Sequence, residues 1–329
     1  AFPSLRDSLY TASDTPYTNI KTDDVDSCIN NNPDVKAWKK KYSDVLAPLP
    51  NDLHAKLIDN VMTVGKDSEE TAIASYLFEK LSTLPLIDKY QAFQILDNNY
   101  RPIATDLEII QTEGFDATRV IEPHMVVKKK DGEDVEEQDG WQGRILPFEL
   151  VQKKKLPAEY QSLQTAIETA ASKEAELEDI KQLFNEEDLQ PDFYDDEKQS
   201  FITKGVNARV KAIRKELNGA SPEPESLEET LLAFYDKGEE LKAAKKQVRT
   251  LAVDLLTKTM ATIPTLSDDD VKKLLHEKWI TPLCDQLATV PLALLADFTA
   301  SVKRLDKKYA RTLQKIEQEK AEVEGNLST

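Results

Sequence analysis

Three histidines and two cysteines are the residues of this chain that could act as nucleophiles, bases or soft metal ligands. His54, His124 and His276 occur without a Gly-x-Ser-x-Gly elbow or another nucleophile context, so no serine-hydrolase site is indicated. Cys28 and Cys284 stand far apart in the sequence, and such spacings build neither a disulfide framework nor a zinc site. We therefore expect packing or surface histidines and ordinary reduced cysteines.

A Rossmann-like pocket for a nucleotide or S-adenosylmethionine needs closely spaced glycines where a strand meets a helix. The chain has no Gly-x-Gly, and the nearest pair, Gly140 and Gly143, is not followed by a convincing helix. Adenine-N6 methyltransferases also carry an Asn/Asp-Pro-Pro-aromatic motif that holds the flipped base. The closest string, Asn32-Pro33-Asp34-Val35, lacks the second proline and the aromatic ring. We predict no catalytic or cofactor-binding residue in this chain.

Acidic clusters at Asp195–Glu197 and Asp268–Asp270 supply oxygen ligands that could in principle hold Mg²⁺. Neither cluster has EF-hand spacing. The second cluster follows Ser267, a good helix N-cap, and its charges would compensate the helix dipole. The sequence therefore predicts no metal site.

Basic residues are concentrated in four places. Three are lysine triplets, at Lys39–Lys41, Lys128–Lys130 and Lys153–Lys155, and such a run is usually a solvated face. The fourth is a predicted helix over Phe201–Leu217, whose cations stand out in an acidic protein. We predict that this helix supplies the candidates for DNA contact: Lys204, Arg209, Lys211, Arg214 and Lys215.

Composition limits the function classes. The 329 residues carry a net charge of -17, which opposes a main role in gripping a polyanion. No apolar stretch approaches the roughly 20 residues that span a bilayer, and Ala1–Tyr10 has no signal pattern. We expect a cytoplasmic protein without a membrane segment. Because the chain begins with Ala1 rather than Met, we also expect a piece of a longer protein.

The sequence predicts a mainly α fold, a helical bundle with long coiled-coil-like helices plus a small β-containing module. The β-favouring runs are Leu107–Ile110, Val120–Val127 and Ile145–Val151. Between them, Asp131-Gly132 suits a type I′ hairpin turn, and a longer solvated loop is equally open. We divide the chain into an arm or linker (1–34), a helical segment (35–106), the β-containing module (107–156) and a long-helix bundle (157–329).

Two long segments in the last part have coiled-coil-like spacing. One is Pro157–Phe184. Between the two lies a further helix, which is capped by Ser226 with Glu229 and runs to Pro264. The other is the last helix, over Pro291–Glu322. Its seam needs a partner, either in this chain, where Pro157–Phe184 could fold against both the Ser226 helix and the last helix, or in another chain. The candidate partner-binding residues of the seam are Phe298, Val302, Leu305, Tyr309 and Ile316.

Four strings resemble, in order and spacing, the C-terminal region of the methylation subunits of type I restriction-modification systems. Leu86–Leu96 is similar to the family's Leu-Ile-Asp-x-Tyr-Asp-x-Tyr-Gln-x-Leu helix, and Thr203–Lys211 to its Asn-Lys-x-Asn-Val-Ala-Ala-Arg-Leu-Lys helix. Glu277–Ile280 resembles Asp-Lys-Trp-Leu, and Val302–Tyr309 resembles Val-x-x-Leu-x-x-Arg-Tyr. Where the family helix continues into Asp-Tyr-Trp, this chain has Asp97-Asn98-Asn99-Tyr100 and lacks the tryptophan.

The resemblance implies an adenine-specific DNA methyltransferase whose catalytic domain, with S-adenosylmethionine, lies N-terminal to this region. It implies partners as well: a specificity subunit, a second methylation subunit, and restriction subunits that can add to them. DNA would be bound mainly by the assembled complex. The chain itself would be an assembly region. The alternatives are a stand-alone helical scaffold or dimerisation protein, and an enzyme with an unrecognised site.

Overall fold

The structure is a computed structural model, and it is mainly α-helical with a small antiparallel β-module, as the sequence predicted. It describes the backbone of residues 2–10, 20, 22, 24–130, 133–185 and 187–327, without the side chains of 130, 133, 309–316, 322 and 325–327. The chain divides into two compact units. Unit 1 comprises Ala1–Val120, Arg144–Leu146 and Ser267–Thr329, and unit 2 comprises Ile121–Gly143 and Pro147–Leu266. Unit 2 is thus inserted into the sequence of unit 1, which differs from the four consecutive segments expected from the sequence.

Unit 1 consists of α-helices, a 3-10 turn at Phe115–Arg119 and two π-helical turns, His54–Ile58 and His276–Ile280. The helices are α1 (Pro3–Leu9), α2 (Val25–Asn31), α3 (Pro33–Leu46), α4 (Leu49–Leu53), α5 (Lys66–Ser82), α6 (Lys89–Glu113), α11 (Asp268–Leu275) and α12 (Thr281–Leu327).

The segment expected to be an arm contains α1 and α2, and these helices belong to the core of unit 1. Their apolar residues share a buried cluster with residues from α3 and α12. Two polar residues of this segment are helix caps: Asp24 accepts a hydrogen bond from Ser27 N, and Asn32 accepts from Asp34 N. Residues 11–19, 21 and 23 of the expected arm lie outside the described residues. Helices of seven residues are too short to give a periodic signal. The cluster consists of Leu5, Leu9, Val25, Ile29, Val35, Trp38, Leu295 and Val302.

The strand predicted at Leu107–Ile110 is wrong, because this segment lies in α6. The helix continues through Pro102, although a proline usually marks a helix boundary. Its buried residues follow alternating spacings of four and three, which is the period of one helix face. The strand predicted over Ile145–Val151 is wrong as well, since a helix, α7 (Phe148–Lys155), occupies its second half. The buried face of α6 is formed by Leu96, Tyr100, Ile103, Leu107 and Ile110.

Asp106, on α6, is the buried carboxylate that attaches the π turn before α12. Its Oδ2 atom accepts hydrogen bonds from Lys278 Nζ and, at 2.7 Å, from Trp279 Nε1. Lys278 Nζ also donates to the carbonyl oxygen of Ile145 at 2.6 Å. Asp106 is 7% exposed and Trp279 is 2% exposed. The cation and the indole therefore share one buried acceptor.

We expect Asp106→Ala to lower the free energy of unfolding by about 2–3 kcal/mol, because it leaves the buried Trp279 indole without its acceptor and the partly buried Lys278 ammonium without its counter-ion. Urea denaturation followed by tryptophan fluorescence measures the change. The matched control is Glu108→Ala on the same helix, which removes an ion pair with Lys66 between exposed side chains and should shift the transition far less. Equal losses in the two variants would contradict the role given to Asp106.

Unit 2 contains the β-module that the sequence predicted. Strand β1 (Ile121–Lys130) pairs antiparallel with β2 (Glu133–Gly143), in a register that runs from Ile121 opposite Gly143 to Lys130 opposite Glu133. The register shifts between Pro123 and Met125, which marks a bulge. The turn predicted at Asp131-Gly132 lies outside the described residues.

The rest of unit 2 contains helices and a short second hairpin, joined by turns and loops. Ser226 caps α10 by accepting from Glu229 N, as the sequence predicted. The elements are α7 (Phe148–Lys155), α8 (Pro157–Lys181), β3 (Tyr194–Asp195), β4 (Ser200–Phe201), α9 (Thr203–Leu217) and α10 (Leu227–Thr262).

Helices α8 and α10 pack along each other in antiparallel directions. Small buried residues at their contact, Ala166, Ala170 and Ala244, allow the backbones to approach closely. Ion pairs join the helices in descending register, from Glu159 with Lys258 to Glu176 with Lys237. The predicted pairing of these two helices is confirmed. The third helix expected in this bundle, α12, packs in unit 1 instead.

Gly205 fixes the position of α9. A Cβ atom at this residue would lie 1.9 Å from the carbonyl oxygen of Asp192 and 2.8 Å from Cα of Phe193. Phe193 is fully buried beneath the helix, in one cluster with Val206 and Val210 of the inner face of α9. Only a residue without a side chain permits this close approach of two backbones.

We expect Gly205→Ala to destabilise unit 2 by at least roughly 1–3 kcal/mol, because the added methyl group must displace backbone. Gly238→Ala is the control, since a Cβ there meets no atom within 4 Å inside α10. That change should stabilise the helix by about 0.5–1 kcal/mol. Calorimetric melting curves give both values, and a neutral Gly205→Ala would contradict the close approach.

An 18-residue window within Asp268–Lys308 reaches a mean hydropathy of 1.3 and could cross a membrane by length and composition. By that criterion the expectation of no such stretch does not hold. In the structure, 39% of the window is buried, and α12 contributes Leu283, Leu287 and Val290 to the interior of unit 1. Core helices of soluble proteins meet the same criterion, and the buried leucines explain the apolar character of this one.

Candidate interaction surfaces

The last helix, α12, has two parts with different surroundings. Up to Val302 its apolar residues alternate between the interior of unit 1 and its surface. After Val302 every described side chain is exposed, from Lys303 to Lys308, from Glu317 to Ala321, and at positions 323 and 324. Lys303 forms an ion pair with Asp26 of α2 at the end of the packed part. The helix thus extends beyond the core that holds it.

The seam residues predicted for partner binding separate into three groups. Val302 is 5% exposed and belongs to the core cluster of unit 1, so it serves this chain and is not available to a partner. Phe298 and Leu305 are 40% and 49% exposed. The side chains of Tyr309 and Ile316 lie outside the described residues.

Phe298 borders an apolar groove of about 480 Å³ on unit 1. Leu86 forms part of its rim and is 54% exposed, with a φ of 71° that is uncommon for leucine. The other lining residues come from α1, α12 and the residues that flank α1: Phe2, Leu5, Arg6, Leu9, Tyr10, Leu294 and Leu295.

The basic helix, α9, has one face in the core of unit 2 and the opposite face in solvent. Val206, Val210 and Ile213 are buried. Lys204, Lys211, Arg214 and Lys215 are exposed, and Arg209 is half-buried. The exposed cations of α9 thus lie on the side of the helix away from its buried residues, with Arg209 at the margin.

Arg214 is engaged within unit 2. Its guanidinium forms an ion pair with Asp236 and lies over the ring of Tyr235, 5.3 Å from the ring centroid. By contrast, Lys204, Arg209, Lys211 and Lys215 form no ion pair with any side chain in the part of the chain that the structure describes. They are unneutralised cations on a single short helix.

The three lysine triplets differ from α9 because most of their cations are neutralised or hydrogen-bonded. Lys40 pairs with Asp44, Lys128 with Glu137, and Lys153 with Glu149. Lys39 donates to the side chain of Asn30, and Lys154 and Lys155 also have partners. The solvated-face interpretation fits these runs.

Three of the four strings that carry the family resemblance lie in unit 1, where they have structural roles. Asp88 caps α6 by accepting from Tyr90 N, while Ala92 and Leu96 point into the core. Lys278 and Trp279 hold the Asp106 carboxylate. Tyr100, in the segment that departs from the family, is buried and donates to the Lys66 carbonyl oxygen at 2.8 Å.

His54 and His276 each begin a π-helical turn, and their rings meet in unit 1. Their Nδ1 atoms are 3.0 Å apart, so one ring donates and the other accepts. Asp59, which is bound to Lys272, lies near His54, and Glu277 lies near His276. Burial, and then the neighbouring His54, lower the pKa of His276. The separation of these histidines in sequence gave no signal for this contact.

Among the described residues, none of these groups forms an evident catalytic site. Both cysteines are free, and burial raises the pKa of the Cys284 thiol to about 11, so the thiol is protonated near neutral pH. Within the same residues, no three His, Cys, Asp or Glu side chains come together as a metal-binding group. Ser267 caps α11 as predicted, and Asp268 pairs with Arg119.

In comparisons with known proteins, no family model, curated protein or solved structure matches this chain.

We expect unit 1 to lose stability as the pH falls from 7.5 to 5.5. The folded-state pKa of His276 is lowered, so the unfolded chain takes up a proton first, and the stabilisation present above the ordinary pKa is lost below it. Melting temperatures measured across this range test the slope. His276→Gln should flatten it, whereas His124→Gln, in the β1–β2 hairpin, should leave it unchanged. An unaltered slope in His276→Gln would refute the assignment.

Proposed function

We propose that this chain is the C-terminal assembly region of a type I restriction-modification methylation subunit, which supports N6-adenine methylation of DNA by docking to the specificity subunit. The observation that carries the proposal is the exposed continuation of α12. Phe298 and Leu305 are seven residues apart on the seam, and both remain exposed beside the buried Val302.

The exposed part of α12 would be stabilised by packing against a partner helix. The 25 residues from Lys303 to Leu327 extend about 37 Å at 1.5 Å per residue. Every described side chain after Val302 is exposed, and helices that bury no side chains are marginal in water. The seam spacing of four and three residues is that of helices that pack along one another, and Val323, 57% exposed, continues it. A helical partner would bury these side chains.

The resemblance gives the partner its identity. The four strings occur in the family's order along the chain, three of them in unit 1 and one at the start of α9. In this proposal, S-adenosylmethionine and the catalytic residues belong to a part of the subunit outside this chain. A second methylation subunit and restriction subunits would join the same complex.

We expect Leu305→Asp combined with Val323→Asp to abolish co-purification with the specificity subunit, because unpaired charges buried at an interface cost several kcal/mol. The experiment is co-expression of the two proteins followed by size-exclusion chromatography with mass determination. Val253→Asp is the matched control: Val253 is 63% exposed on α10, so the same substitution is made at an equally exposed helical valine.

Three outcomes contradict the proposal. The first is a double variant that still co-purifies, and the second is a Val253→Asp variant that loses the complex equally. A stable homodimer of the wild-type chain that depends on Leu305 and does not bind the specificity subunit would instead identify a self-associating scaffold. Circular dichroism of each variant establishes that the helices remain folded.

A further inference from the structure

The surface of α9 differs from the other basic parts of the chain in what remains for an external ligand. The lysine triplets have carboxylates or other acceptors beside them. On α9, Arg214 alone has a carboxylate partner among the described residues. In a chain with a net charge of -17, a group of cations without neutralising partners makes the electrostatic potential locally positive.

The cations form a straight stripe. Lys204, Lys211 and Lys215 lie within about 40° of one another around the helix, at 100° per residue, and opposite the face that contains Val206 and Val210. Along the axis, the stripe from 204 to 215 measures about 16 Å. Ala208 and Ala212 are exposed beside the lysines, so no large side chain keeps a surface away from the helix.

The helix that presents the stripe is firmly attached. Its inner face is buried against Phe193 and Leu231, and Gly205 brings it into contact with the backbone of Asp192. The Arg214 guanidinium, between Asp236 and the ring of Tyr235, fixes a further side. Binding an anion would therefore require ordering only the lysine side chains, which lowers the entropic cost.

The aligned ammonium groups of the stripe favour a ligand with several phosphate groups. Three ammonium groups in line over about 16 Å match a regular row of negative charges, and one DNA strand supplies a phosphate every 3.4 Å or so of axial rise. No aromatic side chain accompanies the lysines on the stripe, so it lacks the stacking platforms with which proteins bind single strands. Contacts of lysine with phosphate do not distinguish one base sequence from another.

We propose that the Lys204–Lys211–Lys215 face of α9 is a sequence-independent binding surface for the phosphate backbone of duplex DNA. Arg209, half-buried at its margin, adds charge to the surface. The proposal stands independently of the docking function, since α9 belongs to unit 2 and the seam of α12 belongs to unit 1.

The test is fluorescence anisotropy of labelled duplexes with the full chain, at salt concentrations from about 20 to 200 mM. Each phosphate contact contributes about 0.9 to the slope of log K against log salt concentration. The triple variant Lys204→Gln, Lys211→Gln, Lys215→Gln should reduce the slope by about 2.7 and weaken binding by roughly tenfold or more at 0.1 M salt. The control triple, Lys36→Gln, Lys129→Gln, Lys307→Gln, makes the same change in net charge at scattered lysines outside α9.

The proposal is supported if two duplexes of unrelated sequence bind with the same affinity. It also requires that the α9 triple variant shows the stated reduction of the slope and that the control triple variant keeps the wild-type slope. The surface is refuted if the wild-type chain does not bind duplexes at 50 mM salt or if both triples lose affinity equally. Preferential binding of poly-glutamate over duplex would also overturn it, in favour of an acidic protein ligand. Co-purification with the specificity subunit should be unchanged in the α9 triple, which separates this result from failure of the docking proposal.

Discussion

The buried contact of Asp106 with Lys278 and Trp279 holds together the two halves of a discontinuous unit. Asp106 precedes the inserted unit 2 in the chain, and Lys278 and Trp279 follow it. The contact fixes the π turn from which α12 starts. Because α12 then meets α1, α2 and α3 in one apolar cluster, the beginning of the chain is also held in place by its end. The direction in which the exposed part of α12 leaves unit 1 follows from these contacts.

Local signals in the sequence predicted local structure well. Ser226 and Ser267 cap α10 and α11 because a hydroxyl followed by an acidic residue three positions later acts within one helical turn. Strand β1 was predicted from the β-favouring residues of Val120–Val127, whereas β2 occupies an acidic segment for which a solvated loop was an equal alternative. Leu107–Ile110 was misread as a strand, since the same residue types also fill the buried face of a helix. Short runs do not distinguish the two, and the longer four-and-three spacing of α6 does.

Contacts between distant segments could not be predicted from the sequence. The heptad spacing of α12 indicated an apolar seam but not whether it packs within this chain or against another. In the structure, Val302 belongs to the chain's own core, while Leu305, one turn later, is exposed. The contact between His54 and His276 occurs where two π turns begin, and the spacing of apolar residues in the sequence does not predict such turns. The role of Gly205 was also missed, because a close approach to Asp192 has no signature in the residues around the glycine.

The α12 seam and the α9 stripe would bind through different physical forces, and this difference separates them experimentally. Burial of leucine and phenylalanine on α12 depends on apolar area and is little affected by salt. The α9 stripe depends on release of counter-ions and weakens steeply with salt. The acidic character of the rest of the chain would oppose non-specific adhesion to DNA and leave attraction only where the cations are unpaired. Raising the ionic strength should therefore dissociate DNA from α9 while an assembly formed through α12 persists.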